Sequence, residues 1–232
     1  MLNLALGRTG AAPLTILCLG SHSDDVEIGC GGTLLKLIES DRRVNVRWIV
    51  FSASEQRAVE ARASAMKFST GAADIQIEVK AFRDGFFPYL GYEIKEFFED
   101  LKRRCDPDLI FTHYREDRHQ DHRLISDLTW NTYRDHLILE YEIPKYDGEL
   151  GSPNCFVQLE EITCQRKVQS IIELFQTQQN RHWFTEETFY SLLRLRGIES
   201  GARSGHAEGF FSRKAVFNLS SGAPNNEAIH ET

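Results

Sequence analysis

The sequence predicts an α/β fold: a mostly parallel sheet with helices on both faces. Three observations carry this. Strand-length apolar runs and helix-period segments alternate four times within the first half of the chain, the signature of βαβ units with right-handed crossovers. The first run, Leu14-Thr-Ile-Leu-Cys-Leu-Gly20, is apolar at nearly every position, as a strand covered on both faces must be. The chain of 232 residues is long enough for one large domain with a proper core and does not require a second. We therefore expect a single domain, with its core at about 14–211 and a polar, frayed tail at about 220–232.

The elements follow in order. After the first strand comes the glycine-rich Gly29-Cys-Gly-Gly-Thr33, then Leu34 to Ser40 with helical spacing of its leucines. Val44 to Phe51 reads as the second strand, and Ser54 to Phe68 as a helix whose alanines suit close packing. Ile75 to Phe82 forms a third strand. Tyr92 to Arg104 is amphipathic, with Ile94, Phe97, Phe98 and Leu101 on one face, and Pro107 stops it. Asp108 to His113 is the fourth strand. Leu137 to Ile143 and Phe156 to Leu159 read as later strands, and Glu160 to about Arg196 as two helices broken near Arg181.

Composition narrows the function classes. The net charge is -7 and the basic residues are scattered, so no basic stripe invites a nucleic acid. The five cysteines are odd in number and lack C-x-x-C spacing, which argues against a disulfide framework and suits a reducing cytoplasm. No targeting segment stands out in Met1 to Pro13, and Leu14 to Leu19 is too short to span a bilayer.

Two clusters hold an unusual share of the His and Asp residues. Ser21-His-Ser-Asp-Asp25 follows the first strand, and His113-Tyr-Arg-Glu-Asp-Arg-His-Gln-Asp-His122 follows the fourth. In an open parallel sheet, ligands bind beyond the carboxyl ends of the strands, so both clusters fall at one edge. Imidazole and carboxylate are the ligands of a catalytic zinc site that keeps one position open for water. His22 and Asp25, three apart, can turn toward one ion, and His122 can supply the third bond. Asp24 can take a proton from water, His119 can face a carbonyl oxygen, and Asp121 can orient an imidazole. Iron(II) or cobalt would also accept this donor set.

Blander readings apply to each cluster alone. An Asp-Asp pair after a strand is usually a solvated loop or a helix cap, and the second cluster can be a charged helix start capped by Asp117 or Asp121. Gly29-Cys-Gly-Gly suggests a pyrophosphate cradle, but Leu34 stands where G-x-G-x-x-G needs its third glycine. That disfavours a nucleotide-binding oxidoreductase. The glycines instead let the loop bend and the next helix pack tightly.

Ser21-His-Ser-Asp-Asp-Val-Glu-Ile-Gly-Cys-Gly-Gly-Thr33 resembles the first motif of the PIG-L/LmbE-like deacetylases, with Ser23 where that family commonly has Pro. Asp117-Arg-His-Gln-Asp-His122 resembles the second, a His-x-Asp-His ending. The likeness extends over about 14–211, through Arg57 with Glu60, Tyr141 to Pro144, Pro153 to Val157, Gln178 to Arg181, and Gly205 to Phe210. His206 stands where the family often has Tyr.

The resemblance implies a Rossmann-like fold and zinc-dependent removal of the acetyl group from N-acetylglucosamine-type substrates. It assigns the metal to His22, Asp25 and His122, and the general base to Asp24. It gives His119 an oxyanion or acid role, with Asp121 polarising it. More distantly, it gives substrate contacts to Arg57 and Asp84. It also implies a homo-oligomer, hexameric in several family members. A non-catalytic metal- or sugar-binding protein on the same scaffold is the alternative, although a pure binder has no need of Asp24 or of His119 with Asp121. The loops Phe82 to Tyr92 and Lys145 to Asn154 would distinguish substrates. The aromatics Phe86, Phe87, Tyr89 and Tyr92 suit either a sugar ring or a subunit contact.

Overall fold

The computed structural model describes residues 12–40 and 43–216. The expected polar tail and most of the N-terminal stretch lie outside the described residues. A seven-stranded sheet runs in the order β3-β2-β1-β4-β5-β7-β6. Its strands are β1 (Leu14–Gly20), β2 (Val44–Val50), β3 (Asp74–Val79), β4 (Leu109–His113), β5 (Leu137–Tyr141), β6 (Cys155–Leu159) and β7 (His206–Ser212). Pairing is parallel from β3 to β5, and β7 is antiparallel to both of its neighbours. Among the described residues six α-helices accompany them: α1 (Asp25–Glu39), α2 (Glu55–Phe68), α3 (Gly91–Arg104), α4 (Gln120–Thr132), α5 (Glu161–Leu174) and α6 (Glu186–Ser200).

The apolar run of β1 alternates between two cores. Ile16 and Cys18 face α1, α2, α5 and α6, whereas Leu17 and Leu19 face α3 and α4. All four are fully buried, which is why the run shows no polar alternation. The strand order reverses between β1 and β4, the switch point where doubly wound sheets open a crevice at the carboxyl ends of the strands. Among the described residues no helix is long and apolar enough to cross a membrane.

One local expectation is corrected. Gly29, Gly31 and Gly32 do not bend a loop; they lie inside α1, which starts at Asp25. Their role is proximity. A Cβ on Gly29 would overlap the ring of Tyr141, and one on Gly32 would lie 2.5 Å from Leu159 Cδ1. Helix propensity is given up so that α1 can sink onto β5 and β6. Strand β7 had no place in the sequence reading, and helix α4 appeared there only as a candidate charged helix start. The cap of α4 is neither Asp117 nor Asp121 but His119, whose side chain accepts from the Asp121 N–H.

Candidate metal centre and active site

The first cluster leaves β1 and turns at once into α1. Two hydrogen bonds fix that turn. The Ser21 N–H donates to His113 Nε2 at 2.9 Å, and the His22 N–H donates to Asp25 Oδ2 at 2.6 Å. The second bond folds the Asp25 carboxylate back over the loop and beside the His22 ring. Asp24 takes the N-cap position of α1 but makes no cap bond with its side chain. That carboxylate is instead bound by Arg57 of α2, whose Nη2 donates to Oδ1 at 3.0 Å.

The second cluster comes in over the end of β4. His122, in the first turn of α4, donates from Nδ1 to Asp117 Oδ2 at 2.9 Å. Asp117 also accepts from the His119 N–H at 2.7 Å and from Lys145 Nζ at 2.8 Å. With Nδ1 committed as a donor, His122 presents a bare Nε2 to the first cluster. That atom lies 3.2 Å from His22 Nδ1 and 3.6 Å from Asp25 Oδ1, and His22 Nδ1 lies 3.5 Å from Asp25 Oδ2. Ligands about 2.0–2.1 Å from a tetrahedral ion stand roughly 3.3–3.4 Å apart. His22 Nδ1 and His122 Nε2 stand at about that spacing, and Asp25 turns one oxygen toward each. His22, His119 and His122 also bring ligand atoms within 4.8 Å of one another, as do Asp25, His113 and His122, so donors able to hold a divalent cation gather here.

The charges fit as well. Burial alone would raise the Asp25 carboxyl, yet His122, His113 and His22 hold it well below its usual range. Burial and the neighbouring His113 pull His122 down to about 3, so its ring is neutral, as a ligand must be. Around His22, burial opposes protonation, but Asp121, Asp25 and Asp84 overcome it and raise the imidazole well above its normal value. So many carboxylates around one ring form a surplus of negative charge that a cation relieves. Asp24 is raised by burial, against the pull of Arg57.

Five of the expected residues thus meet at the crevice: His22, Asp25 and His122 as the donor triangle, with Asp24 and His119 beside it. The His119 ring lies 4.9 Å from that of His22 and 4.7 Å from that of His122. Because His119 Nδ1 accepts the Asp121 N–H at 3.2 Å, the neutral ring carries its proton on Nε2. Burial lowers its pKa and keeps it neutral.

The Asp121 carboxylate stands near both His22 and His119: one oxygen lies 3.4 Å from His22 Nε2, and the ligand atoms of His22, Asp84, His119 and Asp121 all lie within 4.8 Å of one another. It hydrogen-bonds neither ring of the second cluster and accepts from the N–H groups of Gly85 at 2.6 Å and Phe87 at 3.1 Å. The backbone, not the carboxylate, joins Asp121 to His119, because the α4 cap takes that ring nitrogen. Arg57 and Asp84 are each engaged inside the site, Arg57 on Asp24 and Asp84 at 3.1 Å from His22 Nε2. The His22 hydrogen bond lowers Asp84 to about 2.

Three partners were given no site role by the sequence reading. His113 is fully buried, stacks on His122 at 3.9 Å and anchors the Ser21 N–H. Asp117 orients His122, and Lys145 reaches Asp117 from the loop after β5. The five-residue step from Asp117 to His122 spans the entry into α4, and the unassigned helix concealed it. Phe87, one of the four aromatics offered above for a sugar ring or a subunit contact, is fully buried and stacks at 6.1 Å on His22.

Comparison with known families matches residues 17–133 to PIG-L, described as GlcNAc-PI de-N-acetylase. Solved structures with the same fold include a conserved protein of Thermus thermophilus (TM-score 0.68, 18% identity, 89% of this chain and 97% of the other). They include the N,N'-diacetylchitobiose deacetylase of Pyrococcus horikoshii (TM-score 0.63, 20% identity, 85% of this chain and 83% of the other). A 4-carboxy-2-hydroxymuconate hydratase of Pseudomonas putida matches equally well (TM-score 0.65, 18% identity, 89% and 100%). At these identities the likeness is one of fold, and the hydratase among them means that the reaction has to be argued from the site.

Proposed function

The chain belongs to the PIG-L family, and from that premise we propose that it is a metal-dependent hydrolase that removes the N-acetyl group from an N-acetylglucosamine-type amino sugar or its conjugate. The observation that carries the reading is the buried triangle of His22 Nδ1, Asp25 and His122 Nε2, spaced 3.2–3.6 Å apart beside Asp24 and His119. Zinc is the metal we assign to it. When bound there, the ion supplies a Lewis acid and brings the pKa of water from 15.7 toward about 7.

The remaining steps belong to side chains of this chain. Asp24 accepts the proton of the attacking water, whose oxygen bonds to the acetyl carbon. Arg57 opposes the rise that burial imposes on that carboxyl and fixes it by one oxygen. His119 donates from Nε2 to the acetyl oxygen as it becomes an oxyanion, and a neutral ring suits that electrostatic role. Asp24 then returns its proton to the departing nitrogen as the C–N bond breaks. The products are acetic acid and the amine, which become acetate and the ammonium once the acid's proton passes to the amine, so one water is consumed and the protons balance. Asp117 and Lys145 hold His122 in its ligating tautomer.

The test is metal content together with acetate release from a panel of N-acetylglucosamine derivatives. Asp24→Asn is expected to keep one metal per chain and lose turnover by roughly 10²–10⁴-fold. Full activity in that variant would remove Asp24 as the base. Bound metal without acetate from wild type on any compound would favour the non-catalytic alternative.

A further inference from the structure

One buried imidazole takes no part in the steps of hydrolysis. His113 ends β4 fully shielded from solvent, with the ring of His122 stacked on it at 3.9 Å and 20° and that of Tyr141 tilted 4.9 Å away. Its Nε2 accepts the Ser21 N–H at 2.9 Å, a bond between residues 92 positions apart that ties the end of β4 to the loop after β1. The Tyr141 hydroxyl lies 3.3 Å from the same nitrogen and donates to Leu19 O at 2.6 Å, which braces the strand leading into that loop.

With Nε2 used as an acceptor, the ring carries its proton on Nδ1. That atom is buried and has no hydrogen-bond partner among the described residues. An unpaired buried N–H is unfavourable, and a phenylalanine would fill the same space against His122 without one. What the imidazole alone offers is the acceptor at Nε2. The Ser21 amide that it holds is next to the His22 amide, which donates to Asp25 Oδ2 at 2.6 Å. Consecutive amides of one loop are thus fastened to different clusters, Ser21 to the second and His22 to the first. Asp25 Oδ2 itself lies 3.3 Å from His113 Nε2.

Resting on the metal-dependent reading, we propose that His113 is a positioning residue that bridges the two halves of the metal site: its Nε2 holds the loop bearing His22 and Asp25, while its ring face sets the plane of His122. The donors are in this way set before an ion binds, and little binding energy is spent on ordering them. Direct ligation is the competing role, because Asp25, His113 and His122 bring ligand atoms within 4.8 Å of one another. The Ser21 N–H decides against it. One lone pair on Nε2 cannot serve an amide and an ion together, and Nδ1 carries the proton.

NMR of the imidazole nitrogens in the wild type tests the tautomer directly. His113 is expected to carry a proton on Nδ1 and none on Nε2, before and after zinc is added. A proton on Nε2, or zinc bound there, overturns the proposal. Two variants test the consequence, each with the unfolding temperature of its metal-free form checked. His113→Gln offers an amide oxygen near the Nε2 position, and His113→Phe keeps a stacked ring without an acceptor. Zinc affinity, by competition with a chromogenic chelator, should fall roughly tenfold or more in His113→Phe and stay within about threefold of wild type in His113→Gln. The visible band of the cobalt-loaded forms, which reports coordination geometry and not stability, should change in His113→Phe and be restored in His113→Gln. Wild-type affinity and spectrum in His113→Phe overturn the bridge, as does an equal loss in both variants. If His113→Phe fails to fold, the tautomer and the affinity of His113→Gln decide.

Zinc bound by wild type without acetate release would count against the deacetylase reading alone, and the bridge is still judged by affinity and spectrum. No zinc bound by wild type would sink the metal-dependent reading instead. The bridge between the clusters is then judged by amide exchange at Ser21. Protection lost in His113→Phe and kept in His113→Gln supports it, and equal exchange in all three proteins overturns it.

Discussion

Replacing Asp117 by Asn isolates the electrostatic support of the metal site. The side chain keeps its shape, and an amide oxygen can still accept from the His122 ring or from the His119 N–H, so the change is one of charge. A carboxylate across the ring from a bound dication, roughly 7 Å away, interacts with it by about 5 kcal/mol at an effective dielectric of about 20. That is a ceiling. Lys145, freed from Asp117, retains Glu149 as a partner, which limits the loss. Losing the carboxylate behind a ligating histidine costs about 10–100-fold in metal affinity. We expect Asp117→Asn to weaken zinc binding within that range, measured by competition with a chromogenic chelator. The unfolding temperature of the metal-free protein serves as control. Affinity within twofold of wild type, with the fold intact, would refute the role of Asp117 and with it the assignment of His122 Nε2 as a ligand.

Other outcomes follow from the same contacts. Arg57→Met removes the charge that draws the Asp24 pKa down, so Asp24 protonates at higher pH and the acid limb of kcat/KM moves upward; a limb that stays put means Arg57 does not act through Asp24. Glu208→Gln strips the charge from a buried acceptor of Lys167 at 2.6 Å and of the Gly32 and Thr33 N–H groups. Leaving Lys167 unpaired should cost about 3–5 kcal/mol in urea unfolding. Gly29→Ala drives a methyl into the Tyr141 ring and should destabilise the fold by roughly 1–3 kcal/mol, read by the same measurement.

The sequence made the parallel half of the fold legible because its strands are buried on both faces and read as unbroken apolar runs. The strand bounds at Leu14–Gly20 agree to the residue. Strand β7 was hidden because His206 and Glu208 interrupt its pattern; Glu208 is a buried ion-pair partner, which composition cannot tell from a surface charge. Helix α4 was legible only as a candidate charged start for a similar reason: its first turn is given to chemistry, with Asp121 and His122 where a helix would ordinarily show its periodicity. In the site, residue types and spacing pointed to the triangle, but not to which neighbour each side chain would face. Asp121 could be recognised as an orienting carboxylate, and only the packing of the segment 85–87 against it sends it to His22.

The candidate metal donors come from chain segments 100 positions apart, brought together by the pairing of β1 with β4. Closing that loop carries an entropic cost, so the donors converge only where the central sheet is formed. On the proposed metal-dependent reading an ion would bind the folded chain and not its separate segments. Each tenfold rise in free metal above its dissociation constant would then add about 1.4 kcal/mol to the folded state.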